Sequence, residues 1–318
     1  MTEVGAVVIG RNEGERLRRS LHSLLPLLPR VVYVDSASSD ASVDLARSLD
    51  VPTIALDPAE RLTAGRGRNA GAAFLRTRHP EIAFIQFVDG DCEVLDGWLQ
   101  CAADELRAHP DVAIVCGHVH ERFPHANLFH RLREMEWTLM PLGEVPYCAG
   151  DALIRVEPLF AVGGYRPSLI AGEEPDLCVR LRRGGWRVRR IDAAMTVHDA
   201  AVTRVEQWWR RTVRSGYAHA EGAALHRRFD EQYWLRETRS NWFWGLALPV
   251  AVLSALPLIG GWSLALLAAY PCLVARIHRR LRRQGVDASD ALLYACSCVL
   301  GKFPEVWGQI RYHLRAAP

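Results

Sequence analysis

Ile82-Ala83-Phe84-Ile85-Gln86-Phe87-Val88-Asp89-Gly90-Asp91 is the stretch that decides how this chain folds. A short apolar run, rich in β-branched and aromatic residues and closed by turn residues, reads as a buried strand. The strand ends abruptly on two carboxylates with a glycine between them, where the missing side chain lets the backbone turn tightly. A hard divalent ion takes oxygen ligands and commonly bridges a substrate diphosphate. An acidic pair at a strand end supplies such a site. Taken alone, Asp-Gly-Asp fits an ordinary turn equally well.

Working outward, the same pattern repeats upstream. Val4 to Ile9 is a β-branched run broken by Gly10-Arg11-Asn12-Glu13. Glu15 to Leu28 carries leucines at helical spacing. Val31 to Val34 is a strand ending at Asp35, followed by a loop at 36–39 and a helix through Leu49 that Ser39 or Asp40 can cap. Thr53 to Leu56 is a further strand, and Gly65 to Arg76 reads as loop into helix. Downstream, Val112 to Cys116, Ala152 to Arg155 and Trp186 to Ile191 read as strands, with helices over Pro175–Arg183 and Trp208–His226. Strands alternating with helices imply an α/β fold with a mostly parallel sheet and helices on both faces. In such sheets ligands sit beyond the carboxyl ends of the strands, where Asp35, Asp89 and Asp91 all fall.

Composition narrows the function. The chain has 318 residues, 49% hydrophobic and 24% charged, enough for one large domain or two modest ones. A net charge of +3 is too mild for a nucleic-acid footprint. Eight cysteines without a repeated C-x-x-C argue against a zinc ribbon. Met1 to Gly5 runs straight into a strand without a basic-then-apolar leader, so reduced thiols in the cytoplasm are expected.

The order of motifs is Val8-Ile9-Gly10-Arg11-Asn12-Glu13, Val34-Asp35-Ser36, Gly67-Arg68-Asn69-Ala70-Gly71 and Asp89-Gly90-Asp91. Gly163-Gly164-Tyr165, Gly172-Glu173-Glu174-Pro175-Asp176 and Gly184-Gly185-Trp186 follow. This succession, over roughly residues 4 to 200, resembles the family-2 glycosyltransferases, inverting enzymes with the GT-A fold. The resemblance implies a Rossmann-like mixed sheet flanked by helices, a nucleotide-diphosphate-sugar donor and Mg2+ or Mn2+. It implies Asn12 and Glu13 near the nucleotide, Asp35 at the base, Arg68 near the diphosphate and Asn69 fixing that loop. Asp91 would be the direct metal ligand and Asp89 would bind ribose or assist the metal. His198, in Thr196-Val197-His198-Asp199, would complete metal or diphosphate binding. The base that takes the acceptor's proton lies in the family in a Glu-Asp pair before a helix. Here the pair is Glu173-Glu174, which points to Glu174, with Asp176 as a rival; a helix's first turn also favours an acid at 176 for electrostatic reasons. Processive relatives carry Q-x-x-R-W. Gln207-Trp208-Trp209-Arg210-Arg211 ends in arginine instead, which favours addition of single sugars.

From Trp242 to Ala275 no residue is charged. That length suits one tilted transmembrane helix, or two shorter helices turning at Gly260-Gly261. Arg236 and Arg239 precede it, and Arg276, Arg279, Arg280, Arg282 and Arg283 follow, which fits a hairpin with both ends cytoplasmic. Each arm is short for a full crossing, so a re-entrant hairpin and a buried core pair both stay open. Ala291 to Leu314, within an amphipathic region of about 289–315, reads as an interfacial helix broken near Pro304. The expected organisation is a glycosyltransferase domain at 1–230 and a membrane-associated helical region at 231–318. The expected activity is transfer to a membrane-linked glycan or lipid acceptor at the cytoplasmic side of the cell membrane. The alternatives are a polyprenyl-phosphate glycosyl donor synthase and a non-catalytic nucleotide-sugar-binding scaffold.

Overall fold

The computed structural model describes residues 2–228 and 233–315. The chain opens with β1 (Val4–Gly10), α1 (Glu15–Leu24), β2 (Val31–Asp35), α2 (Ser42–Ser48), β3 (Thr53–Ala55), α3 (Ala64–Arg78) and β4 (Phe84–Asp89). These four strands are parallel, in the order β3-β2-β1-β4. The first six residues of β1 are buried, as its uninterrupted apolar run demands of a central strand. The register sets Gly10 opposite Asp35 and Ile9 opposite Asp89. The ends of β1, β2 and β4 therefore form one edge. On the helix side, a Cβ on Gly71 would stand 2.3 Å from Val7 Cγ1, so glycine lets α3 lie directly on β1. Thr63 caps α3 by accepting the Arg66 N–H at 3.2 Å.

The chain continues through β5 (Cys92–Val94), α4 (Trp98–Ala108), β6 (Val112–Glu121), α5 (Leu128–Thr138) and β7 (Gly143–Glu144). β8 (Ala152–Arg155), α6 (Val156–Ala161), α7 (Glu173–Arg183) and β9 (Arg187–His198) follow. β8 runs antiparallel between β4 and β6, while β6 and β9 are parallel and β5 and β7 pair antiparallel with β9. The sheet is thus mixed, as the family resemblance implied, and less parallel than strand–helix alternation alone suggested. β9 runs seven residues past the expected Ile191, because its last residues are paired with β5 on one side and β6 on the other. That extension sets His198 opposite both Cys92 and Glu121.

The described residues group into two compact units, 2–124 with 136–200 and 125–135 with 201–315. The boundary expected at 230 lies outside the described residues, and α8 (Val205–His226) groups with the helices that follow it. Glycines explain this grouping. A Cβ on Gly216 would be 2.0 Å from the Glu305 carbonyl oxygen, and one on Gly308 2.0 Å from that of Val213. Gln207 serves the start of α8, where its Oε1 accepts the N–H groups of Thr203 and Arg204 at 2.8 and 3.0 Å.

Beyond α8 come α9 (Leu235–Trp242), a π-helical turn (Phe243–Ala247) and α10 (Leu248–Ile259). A 3-10 segment (Gly260–Ala268), α11 (Ala269–Arg283), α12 (Ala288–Leu300) and α13 (Lys302–His313) complete the described chain. The direction reverses at Gly260, with φ 59° and ψ −150°, a conformation that favours glycine. The arms meet again at their base, where the Tyr270 hydroxyl donates to the Trp244 carbonyl at 2.6 Å. The uncharged run is therefore a helical hairpin. Leu235–Arg283 is long and apolar enough to cross a membrane by length and composition, and only 11% of its most apolar window is buried. α12 and α13 separate at Gly301, not at Pro304. That proline stands in the first turn of α13, where its missing N–H costs nothing.

Candidate active site

At the edge formed by the ends of β1, β2 and β4, two loops are tied to each other. Asn12, in the left-handed region at φ 58°, accepts the Ser39 N–H at 2.7 Å, and its own N–H donates to Ser38 Oγ at 2.9 Å. Asp35 is 2% exposed and accepts from the Tyr33 hydroxyl and the Ser38 N–H, both at 2.8 Å, and from the Ser38 hydroxyl at 2.5 Å. Burial of the Tyr33 hydroxyl, and then its bond to Asp35, push the tyrosine's pKa far up. Glu13 pairs with Arg16 at 2.7 Å. Burial, with the charge of Asp91 nearby, pushes its carboxyl up to about 7.

The turn after β4 is built on close approach. Gly90 donates its N–H to the Ile9 carbonyl at 2.7 Å, and a Cβ there would meet that oxygen at 3.1 Å and Glu13 Cγ at 3.0 Å. Lack of a side chain, rather than an unusual φ, is what Gly90 contributes. Asp151, 3% exposed, accepts the Asp89 N–H at 2.9 Å through one oxygen and the Thr196 hydroxyl at 2.7 Å through the other. It thereby fixes the turn to β9.

Asp91 and His198 face each other, with Oδ2 and Nε2 3.4 Å apart. The other ring nitrogen, Nδ1, is 2.9 Å from Glu121 Oε2, and Glu121 Oε1 accepts the Ala200 N–H at 3.0 Å. Trp137 packs edge-on against the imidazole at 4.8 Å. With Glu121 accepting from Nδ1–H, the Nε2 lone pair points at a carboxylate, an arrangement that calls for a proton or a cation between them. Burial raises the Asp91 carboxyl's pKa, but the hydrogen bond and charge of His198 outweigh it and hold the pKa below the ordinary carboxylate value. One ligand atom each from Asp91, Cys92 and His198 lie within 4.8 Å of one another. Burial pushes the Cys92 thiol pKa far up, so it stays protonated and is a poor partner for a hard cation. Asp91 and His198 fit Mg2+ or Mn2+.

Beside this pair lies a buried ionic cluster. Arg68, 1% exposed, reaches Asp89 Oδ1 at 2.8 Å, Glu173 Oε1 at 2.9 Å and Glu174 Oε1 at 2.8 Å. The family resemblance implied Arg68 near a diphosphate; its guanidinium is engaged by three carboxylates. Burial and the adjoining Glu173 push Glu174 up to about 8, against the pull of Arg68. Asn69 holds the neighbouring loop, with Oδ1 accepting the Tyr165 N–H at 2.8 Å and Nδ2 donating to the Tyr165 carbonyl at 2.7 Å. Asp176 faces other partners, Arg180 at 2.8 Å and Arg166 at 3.4 Å.

Asp151 and Glu121 were not singled out from the sequence. Each is an isolated acid, one after Gly150 and one at the end of β6, and only strand pairing reveals its partner. A separate open cavity of about 560 Å3 lies at the other ends of β4 and β8, beside Ile82 and Arg155, and contains none of these residues.

The glycosyl transferase family 2 model matches residues 6–163, which contain the Asn12 loop, Asp35, Arg68 and the Asp89–Asp91 turn. Residues 6–163 belong to glycosyl transferase family 2. The chain is 28% identical over 239 residues to a pre-mycofactocin glycosyltransferase of Mycobacterium tuberculosis, across 70% of its own length and 48% of that protein's. It is 27% identical over 209 residues to the succinoglycan biosynthesis protein ExoA of Rhizobium meliloti, across 61% and 60% of the two lengths. It therefore spans only about half the length of the first of these relatives. Among solved structures it is similar in fold to the mannosyltransferase PcManGT from Pyrobaculum calidifontis in complex with GDP-Man and Mn2+. There the TM-score is 0.69 at 18% identity, over 99% of this chain and 88% of that one. S. aureus TarS residues 1–349 give a TM-score of 0.52 at 14% identity, over 98% and 92%. These likenesses establish a GT-A fold.

Proposed function

We propose that this chain is an inverting glycosyltransferase that moves a single sugar from a nucleotide-diphosphate donor to a membrane-linked glycan or lipid acceptor. The observation that carries the reading is the juxtaposition, at one sheet edge, of the Asp91–His198 pair and the Arg68–Glu173–Glu174 cluster. Asp35 accepts a ring N–H of the base, and the loop tied by Asn12 and Ser39 borders the nucleoside with Glu13. Asp91 and His198 would hold Mg2+ or Mn2+, which when bound would supply positive charge to the departing diphosphate. Asp89, steadied by Arg68 and Asp151, faces the ribose.

Glu174 takes the proton of the acceptor hydroxyl as its oxygen attacks the anomeric carbon and the bond to the diphosphate breaks on the opposite face. A buried carboxylate with a raised pKa is a stronger base than a solvated one, which suits this task. Asp176, held by Arg180 and Arg166, is a positioning residue for α7. The pre-mycofactocin enzyme and the succinoglycan protein support the glycosyltransferase reading, and the GDP-Man and Mn2+ bound to PcManGT support a nucleotide-sugar and a divalent ion.

The uncharged hairpin and its arginine flanks support a membrane-held acceptor and a cytoplasmic location at the cell membrane. In this reading the membrane-associated part is the C-terminal helices. The test is transfer by the full chain, with a panel of nucleotide sugars and a lipid extract as acceptor. Product in the lipid phase that requires both donor and extract supports the reading. Donor binding without hydrolysis or transfer across the panel points to the scaffold alternative.

A further inference from the structure

We infer that the Trp242–Ala275 hairpin is re-entrant: it enters an anionic lipid leaflet from one side and keeps its turn inside the hydrocarbon, without crossing. The inference rests on the membrane part of the proposed function and is independent of the catalytic part.

Three observations carry it. The first is length. α10, from where it continues the π-helical turn to Gly260, has 12 residues, about 18 Å at helical rise. The returning 3-10 segment has 9 residues, also about 18 Å at its steeper rise. The π-helical turn below them is held by α13, since a Cβ on Gly245 would lie 2.3 Å from the Lys302 carbonyl oxygen. Even counted from Phe243, the first arm reaches about 25 Å, short of the roughly 30 Å hydrocarbon core.

The second is the chemistry of the turn. A hairpin that crossed would place its turn in water or among headgroups on the far side. Here Leu258 and Trp262, on either side of Gly260-Gly261, are each 83% exposed, with Leu256, Ile259 and Leu264 exposed beside them. No charged residue lies between Arg239 and Arg276. The turn also meets part of its own backbone demand, because the Ser263 hydroxyl donates to the Gly260 carbonyl at 3.2 Å.

The third is charge complementarity at the base. Arg236 and Arg239 precede the first arm, and Arg276, Arg279, Arg280, Arg282 and Arg283 follow the second. The base of the hairpin is closed by the Tyr270–Trp244 bond, so both groups belong to one end of it. An anionic headgroup layer there attracts the arginines. Along the first arm an open apolar groove of about 590 Å3 runs from Arg239 past Trp242, Phe243 and Leu246 to Val250. Its apolar length below a guanidinium suits an acyl chain below its phosphate.

The test uses the full chain bound to preformed vesicles of phosphatidylcholine with a minor share of phosphatidylglycerol. Exposed Cys101 and Cys272 are replaced by serine. Two variants on that background, Leu258→Cys at the turn and Gln284→Cys beyond the second arm, are treated with a membrane-impermeant maleimide. Reagent is placed either outside the vesicles or trapped within them. The inference predicts that Gln284→Cys labels from outside, while Leu258→Cys loses labelling from both sides and regains it when detergent dissolves the vesicles. Labelling of Leu258→Cys from within overturns the inference in favour of a crossing hairpin. Labelling from outside in intact vesicles overturns it in favour of a surface contact. Equal protection of Leu258→Cys without lipid overturns it in favour of a second copy of the chain. Donor hydrolysis measured on the same vesicles reports the catalytic reading separately.

Discussion

Glu174 and Asp176 stand two residues apart on the first turn of α7, and their surroundings assign them different work. Glu174 is pushed up to about 8 by burial and Glu173, whereas Asp176 is held by Arg180 and Arg166. Glu174→Gln keeps the volume and removes the proton acceptor, so turnover should fall on the order of a hundredfold or more with donor affinity nearly unchanged. Asp176→Asn should instead lower the melting temperature, by the equivalent of about 2 kcal/mol, through the loss of a charged partner. The reverse pattern would move the base to Asp176. The sign of the pH dependence follows from the same burial. A base must be ionised to act, and a group with a raised pKa ionises only as pH climbs through that value. The rate with wild-type enzyme should therefore rise across pH 7 to 9 and level off, and Glu174→Gln should flatten that limb. A flat wild-type profile would count against Glu174. At this scale the sequence made Asp35, Asp89 and Asp91 legible, because each ends an apolar strand. It left the partners of Arg68 hidden, since Glu173 and Glu174 lie more than a hundred residues away and only packing brings them to one guanidinium.

At the scale of elements, close approach through glycine decides more than helix propensity does. α8 and α13 touch where Gly216 and Gly308 carry no side chain, with backbone carbonyls 2.0 Å from where each Cβ would be. Gly308→Val should force the helices apart and destabilise the second unit by at least about 2 kcal/mol, an overpacking cost without an easy relaxation because the obstacle is backbone. Thermal unfolding of the full chain checks this; an unchanged transition would show that the crossing is looser. Helical periodicity predicted α8 itself but could not say which unit it joins, because a glycine leaves no apolar signature. The stretch from Ala291 to Leu314 misled in a related way. Pro304 looked like a break, yet a proline in a first helical turn is compatible with the helix, and Gly301 is where α12 and α13 part. The extension of β9 to His198 was also illegible, since Arg189, Arg190 and Asp192 interrupt any apolar pattern and the strand is held by its neighbours instead.

For the molecule as a whole, the hairpin and the sheet edge are separate devices in one chain, and they should fail separately. Exchanging 249–267 for a short Gly-Ser loop is geometrically reasonable because Trp244 and Tyr270 already meet. The shortened protein should leave the membrane fraction and still bind nucleotide sugar, while acting poorly on a lipid-linked acceptor. It is a cleaner cut than truncation after Arg239, which would strip α13 from α8. High salt should not release the full chain, since screening weakens the arginines and leaves the apolar burial intact. Release by salt alone would make the hairpin a weak surface contact. The central claim is that the edge of the sheet binds a nucleoside diphosphate through a divalent ion held by Asp91 and His198. The most direct measurement is calorimetric titration of the full chain with UDP, GDP, ADP and dTDP, in Mn2+ and in excess EDTA, alongside Asp91→Ala. The account predicts that at least one diphosphate binds in Mn2+, and that EDTA or Asp91→Ala weakens it on the order of tenfold or more by leaving the phosphate charge uncompensated. Equal affinity in EDTA and in Mn2+ would contradict it.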